Sequence, residues 1–187
     1  MSAGNNHGRQ ERRQALELSN EAAAYLRQGK PEKALPLLRR AIELDPDEPN
    51  VLLNLGGTYV LLGRHEEAVA VLTRATEVAP DEEMIWANLG AALLRLPAER
   101  QPEDELRAIA AFERALAINS RAPHAAYNLG LIFRDRGEWK EAARCFRLAL
   151  AADPEDKDAK SLLRQAEEHL AGPDEAAGAA GDEGEAV

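Results

Sequence analysis

Four histidines and one cysteine are the side chains with which this chain could bind a metal or attack a carbonyl carbon. His7, His65, His124 and His169 lie far apart along the chain. No two have the i, i+4 spacing that would set two ligands on one face of a helix. Cys145 is the single cysteine, so it cannot close an internal disulfide or build a thiolate metal site by itself. It stands beside Phe146 in an apolar stripe, a place that suits a buried structural thiol better than a nucleophile. The pair Gly56-Gly57 lacks the Gly-Lys-Ser/Thr continuation of a phosphate-cradling loop. Acid pairs such as Glu66/Glu67 and Glu82/Glu83 read as solvated faces and helix N-terminal turns. The expectation is no enzyme, no cofactor and no metal.

The elements around these residues are helical by composition. Of the 187 residues, 36 are Ala and 26 are Leu, against 2 Trp, 3 Tyr and 3 Phe. Ala and Leu are strong helix formers, and the β-branched and aromatic residues that strands favour are scarce. That excludes an all-β fold and argues against a sheet-based enzyme. The net charge of -10 repels phosphate backbones, so no nucleic-acid partner is expected. No run of about 18 apolar residues occurs, so no membrane insertion is expected. The first residues contain no apolar stretch of signal-peptide length, and the expected location is cytoplasmic.

The chain repeats itself. NEAAAYLRQGKPEKAL from Asn20, NLGGTYVLLGRHEEAV from Asn54 and NLGLIFRDRGEWKEAA from Asn128 align without a gap, and a fourth copy begins NLGAALLRL at Asn88. Asn20, Asn54 and Asn88 are spaced by 34, and Asn128 follows Asn88 by 40. Ala34, Ala68, Ala108 and Ala142 keep the same register, so two sets of markers agree on where six residues were inserted. Each unit reads as two helices. Gly29 and Gly63 stop the first helix, and Pro31 opens the second helix of the first unit. Leu55, Tyr59, Leu62 and Leu72 return at helical spacings. One such hairpin cannot bury its stripe alone, whereas stacked neighbours can.

These residues resemble the tetratricopeptide repeat (TPR). Leu52, Leu55, Gly56, Tyr59, Ala68, Leu72, Ala75 and Pro80 fill its pattern in the second unit. Trp86, Leu89, Gly90, Ala108, Phe112 and Ala115 do so in the third, and Leu129, Gly130, Phe133, Ala142, Phe146, Ala149 and Pro154 in the fourth. In the first unit Leu18, Ala22, Tyr25, Ala34, Leu38, Ala41 and Pro46 match, but Glu21 stands where Leu is usual. The resemblance implies an all-α, right-handed superhelical solenoid of antiparallel helix pairs. The expected organisation is a mostly disordered segment 1–14, then repeats at 15–48, 49–82, 83–122 and 123–156. A capping helix at 157–171 and a disordered acidic tail at 172–187 complete it.

In that family the first helix of each unit lines the concave wall. The resemblance therefore places Asn20, Asn54, Asn88 and Asn128 there, one per repeat. An amide offers both donor and acceptor, so an asparagine ladder can bond an extended peptide backbone without reading its sequence; local helix contacts are the plain alternative. Leu53, Met84, His124, Tyr127 and Leu131 join the wall, whose apolar surface marks an interaction site. Tyr127 is the one aromatic left over from packing and the first choice of anchor. The positions that carry a carboxylate clamp in some relatives hold no Lys or Arg here. The expected function is a non-catalytic scaffold or adaptor, monomeric, that binds an extended peptide or a helix of another protein. The alternative is a self-assembling structural repeat module. Pro36 should bend the second helix, and the insertion Leu96 to Glu105 should form a surface loop.

Overall fold

Three glycines punctuate the backbone of the computed structural model. Gly29, Gly63 and Gly137 have φ of 67°, 68° and 74°, the left-handed region that glycine enters without a Cβ penalty. The following N–H groups of Lys30, Arg64 and Glu138 donate back to the carbonyls of Tyr25, Tyr59 and Phe133 at 3.0, 2.8 and 2.8 Å. The glycine N–H groups donate to Leu26, Val60 and Arg134. This doubly bonded helix ending turns the chain sharply enough for a second helix to fold back on the first. The same solution therefore recurs wherever the sequence repeats its glycine.

The structure describes residues 3–94 and 101–176. Among them the helices are α1 (Ala3–Arg27), α2 (Pro31–Leu44), α3 (Pro49–Leu61), α4 (His65–Val78), α5 (Glu83–Leu93), α6 (Pro102–Ile118), α7 (Pro123–Asp135), α8 (Trp139–Ala152) and α9 (Lys157–Ala176). No strand occurs among the described residues. The chain divides into two compact units, Met1–Ile118 and Asn119–Val187.

In the first unit α1, α3 and α5 pack as neighbours, while α2 packs on α1 and α3, and α4 on α3 and α5. Small residues set the closeness of each pair. A Cβ on Gly90 would lie 2.7 Å from the ring of Phe112, so α5 touches α6 through bare backbone. Gly56 meets Leu72 in the same way, and in the first pair Ala22 and Leu38 are both fully buried. Second-helix alanines Ala34, Ala41, Ala68, Ala75, Ala108 and Ala115 are also fully buried. In the second unit Gly130 faces Phe146, 2.6 Å from a Cβ built there, and Cys145 is buried. Helix α9 packs on α8, burying Ala159 and Ala166. The indole of Trp139 stacks on the His169 ring with centroids 3.8 Å apart.

Three expectations change. Composition predicts a mostly disordered segment over 1–14, but α1 already begins at Ala3. Contacts distant in sequence hold it there: Arg12 reaches Asp45 at 3.3 Å and Glu48 at 3.5 Å, and Ala15 is fully buried with Ala41 and Val51. The C-terminal helix runs five residues beyond Ala171, to Ala176; the rest of the acidic tail lies outside the described residues. Of the expected insertion loop, Pro102 to Glu105 form the first turn of α6, where the acids Glu103, Asp104 and Glu105 suit the helix N-terminus. Residues 95–100 lie outside the described residues. Helix α2 runs through Pro36 as one element of 14 residues, with Pro36 exposed.

Candidate partner-binding surface

In the first unit the wall of first helices carries Asn20, Asn54 and Asn88, and the structure gives each a different setting. Asn20 is exposed. Asn54 is half-buried, and its Nδ2 donates to Oγ of Ser19 at 3.0 Å, joining α3 to α1. Ser19 is 2% exposed, so this amide is part of the packing between neighbouring repeats. Asn88 donates from Nδ2 to the Met84 carbonyl one turn back at 2.8 Å. Its Oδ1 lies 3.5 Å from the place a Cβ on Gly57 would take, so α5 leans on α3 where α3 is thinnest. Among the described residues, Asn54 and Asn88 each donate one side-chain bond, which leaves the carbonyl oxygen and a second N–H of the amide.

The apolar members of the wall also separate. Leu53 is half-buried and packs against the cluster of Leu52, Ala75 and Ile85, so it belongs largely to the core between repeats. Met84 is 54% exposed and Leu61 is 64% exposed. These two large apolar side chains face solvent.

The second unit positions His124, Tyr127, Asn128 and Leu131 on α7. Asn128 donates from Nδ2 to the His124 carbonyl at 2.8 Å, the same one-turn bond as Asn88. His124 is exposed and Leu131 half-buried. Tyr127 is half-buried, with its ring edge-on to Phe146 at 6.1 Å and 65°. With His124 it lines a cavity of about 370 Å³ closed by Asp153, Asp156 and Asp158. Burial pushes the Tyr127 phenol above its ordinary pKa, and the nearby charges of Asp158 and Asp156 push it the same way. Tyr127 thus takes part in packing and still borders an open space. The acids come from the α8–α9 turn and the first turn of α9, where Asp153 Oδ1 accepts from the Glu155 N–H and Asp156 Oδ1 from the N–H groups of Asp158 and Ala159. Their turn-forming role hides their proximity to Tyr127 from a linear reading.

No group of three or more His, Cys, Asp or Glu among the described residues is arranged to hold a metal ion. His65 lies 3.3 Å from the Ala92 carbonyl, and His169 is stacked on Trp139. No helix among the described residues is long and apolar enough to cross a membrane.

Helix hairpins closed by glycine, stacked through small residues and presenting amides on their first helices, define an all-α repeat scaffold. Two profiles described as "Tetratricopeptide repeat" match residues 25–96 and 106–157, together more than half of the chain. The chain belongs to the tetratricopeptide repeat family, a family of protein-interaction scaffolds. No curated protein sequence matches it. Solved structures share its fold. A crystal structure of MamA is similar with a TM-score of 0.70 and 24% identity, covering 88% of this chain and 87% of that one. A thermophilic TPR protein of Thermus thermophilus is similar at 0.70 and 21%, with 81% and 80% covered. YrrB, described as a TPR protein with an unusual peptide-binding site, is similar at 0.64 and 22%, with 87% and 80% covered.

Proposed function

We propose that this chain is a non-catalytic adaptor whose first-helix wall holds an extended or helical segment of a partner protein. It acts in the cytoplasm as a monomer. The observation that carries this reading is the company kept by Asn88. An amide oxygen and a spare N–H stand beside Met84, a large apolar side chain 54% exposed to solvent. Directional polar groups beside apolar surface are what a peptide-binding wall requires, since the amide bonds the backbone and the apolar group contributes area. In the second unit by itself, Tyr127, His124, Asn128 and Leu131 on α7 offer the same kind of surface, with the rigid Tyr127 ring as an anchor.

The test begins with capture of a partner on the immobilised chain and proceeds to its affinity by calorimetry. If Asn54 and Asn88 each contribute one net hydrogen bond of about 1 kcal/mol, the Asn54→Ala/Asn88→Ala variant loses roughly 30-fold in affinity. Unchanged affinity in a variant that keeps its helical circular dichroism would reject the asparagine wall.

A further inference from the structure

A second cleft opens on a different face of the first unit, between α2 and α4 with α3 as its floor. It has a volume of about 450 Å³, within the range of roughly 300–1,000 Å³ typical of ligand sites. Ile42, Leu55 and Val71 make its walls apolar, and Leu52 and Pro46 close one end. None of the asparagine-wall residues lines it.

One repeat later a larger side chain stands at the position of Leu52. Adding 34 to Pro46 and Leu52 leads to Pro80 and Trp86. The Trp86 indole Nε1 donates to the Pro80 carbonyl at 2.9 Å. Leu52 is smaller than an indole and has no N–H, and together with Pro46 it lines the open cleft.

The rim adds one charge. Arg74 is paired with Asp47 at 2.6 Å, and Glu43 with Arg40 at 2.7 Å. Arg39 instead donates from Nε to the Tyr59 hydroxyl at 3.3 Å and forms no ion pair among the described residues. The acid whose charge it feels, Glu67, is bonded to Arg64. The cleft therefore combines apolar walls, a proline whose equivalent one repeat later accepts from an indole N–H, and one guanidinium that forms no ion pair among the described residues.

We propose that this cleft binds a partner segment in which a tryptophan lies next to an aspartate or glutamate. The indole enters between Ile42 and Val71 with its N–H toward the Pro46 carbonyl, and the neighbouring carboxylate meets Arg39. Tryptophan is the residue most able to anchor an interface through one buried side chain. This site is independent of the asparagine wall.

The test uses the full chain, methyl-labelled, titrated by NMR with the blocked peptide Gly-Trp-Glu-Gly and with Gly-Trp-Lys-Gly. The acidic peptide should shift the methyls of Ile42, Leu52 and Val71 in a saturable way, and the lysine peptide should bind about fivefold more weakly. Leu52→Trp, which copies the next repeat, should abolish the shifts. Arg39→Glu, an exposed change that keeps the protein folded even if Leu52→Trp does not, should reverse the preference between the peptides. The proposal is overturned if roughly millimolar acidic peptide leaves these methyls unmoved. It is equally overturned if shifts appear only near Met84 and Asn88. Shifts at the cleft that grow with protein concentration in the absence of peptide would assign it to a second copy of this chain instead.

Discussion

The side chain of Asn54 is bonded to the buried hydroxyl of Ser19, Nδ2 to Oγ at 3.0 Å, across 35 positions of sequence. Asn88, its equivalent one repeat later, is bonded among the described residues to the carbonyl of Met84 in its own helix. Residues that occupy the same position in the repeat therefore differ in what they do for stability. Asn54→Ala removes an inter-helix bond and leaves a hydroxyl that is 2% exposed without its donor, which costs about 1–2 kcal/mol. Asn88→Ala should cost less than about 0.5 kcal/mol, as surface changes usually do. Urea unfolding of the two single variants measures the difference directly, and equal losses would refute it.

Gly90 and Phe112 form a contact that admits no methyl group. A Cβ at Gly90 would stand 2.7 Å from the Phe112 ring, and Phe112 is fully buried. Gly90→Ala should therefore destabilise by about 1–3 kcal/mol through overpacking. In the double variant with Phe112→Leu, the loss should be smaller than the sum of the single losses, because the second change vacates the space the first one needs. Thermal unfolding of the four proteins closes the cycle, and additive losses would show that the two sites do not compete for space.

The beginning of α1 depends on Arg12. Its guanidinium is 3.3 Å from Asp45 and 3.5 Å from Glu48, and the Glu48 side chain is only 8% exposed. Arg12 is itself largely exposed, so Arg12→Ala should lower global stability by no more than about 1 kcal/mol. The larger effect is local: amide hydrogen exchange in the turns before Ala15 should quicken while that of α3 stays unchanged. Unaltered protection there would mean that Ala15 and its neighbours suffice to hold the helix.

Tyr127 sets an alkaline limit. Burial, with Asp158 and Asp156 adding to it, raises the phenol pKa in the folded state, so the folded chain holds this proton more tightly than the unfolded chain. The resulting stabilisation is fully present below the unfolded value of about 10 and is lost as pH rises through the folded value. Unfolding free energy should fall as pH rises above about 10. Tyr127→Phe should fall less over the same range, and parallel curves for the two proteins would exclude the phenol as the cause.

Much of the architecture is local chemistry, and for that reason it is legible along the chain. Gly29, Gly63 and Gly137 end first helices because only glycine enters the left-handed region cheaply. Gly56 and Gly130 sit across from Leu72 and Phe146 at the same offset, and Gly90 from Phe112 at that offset plus the six inserted residues, so spacing alone reveals the hairpins. The asparagines at Asn20, Asn54, Asn88 and Asn128 are visible in the same way. Their different settings are not, since these depend on what the neighbouring helix presents. The cleft beside Arg39 left one trace: Leu52 stands where the next repeat has Trp86. Nothing along the chain announces that Arg39 turns to Tyr59 while Arg74 turns to Asp47.

The sequence by itself determined the helices, their pairing, the family and the acidic charge, because capping, propensity and periodicity act over a few residues. Tertiary structure alone decided that α1 begins at Ala3, that Asn54 belongs to Ser19, and that Tyr127 is half-buried beside three aspartates. Each of those outcomes joins residues distant in the chain, and a contact of that kind exists only after the helices have packed.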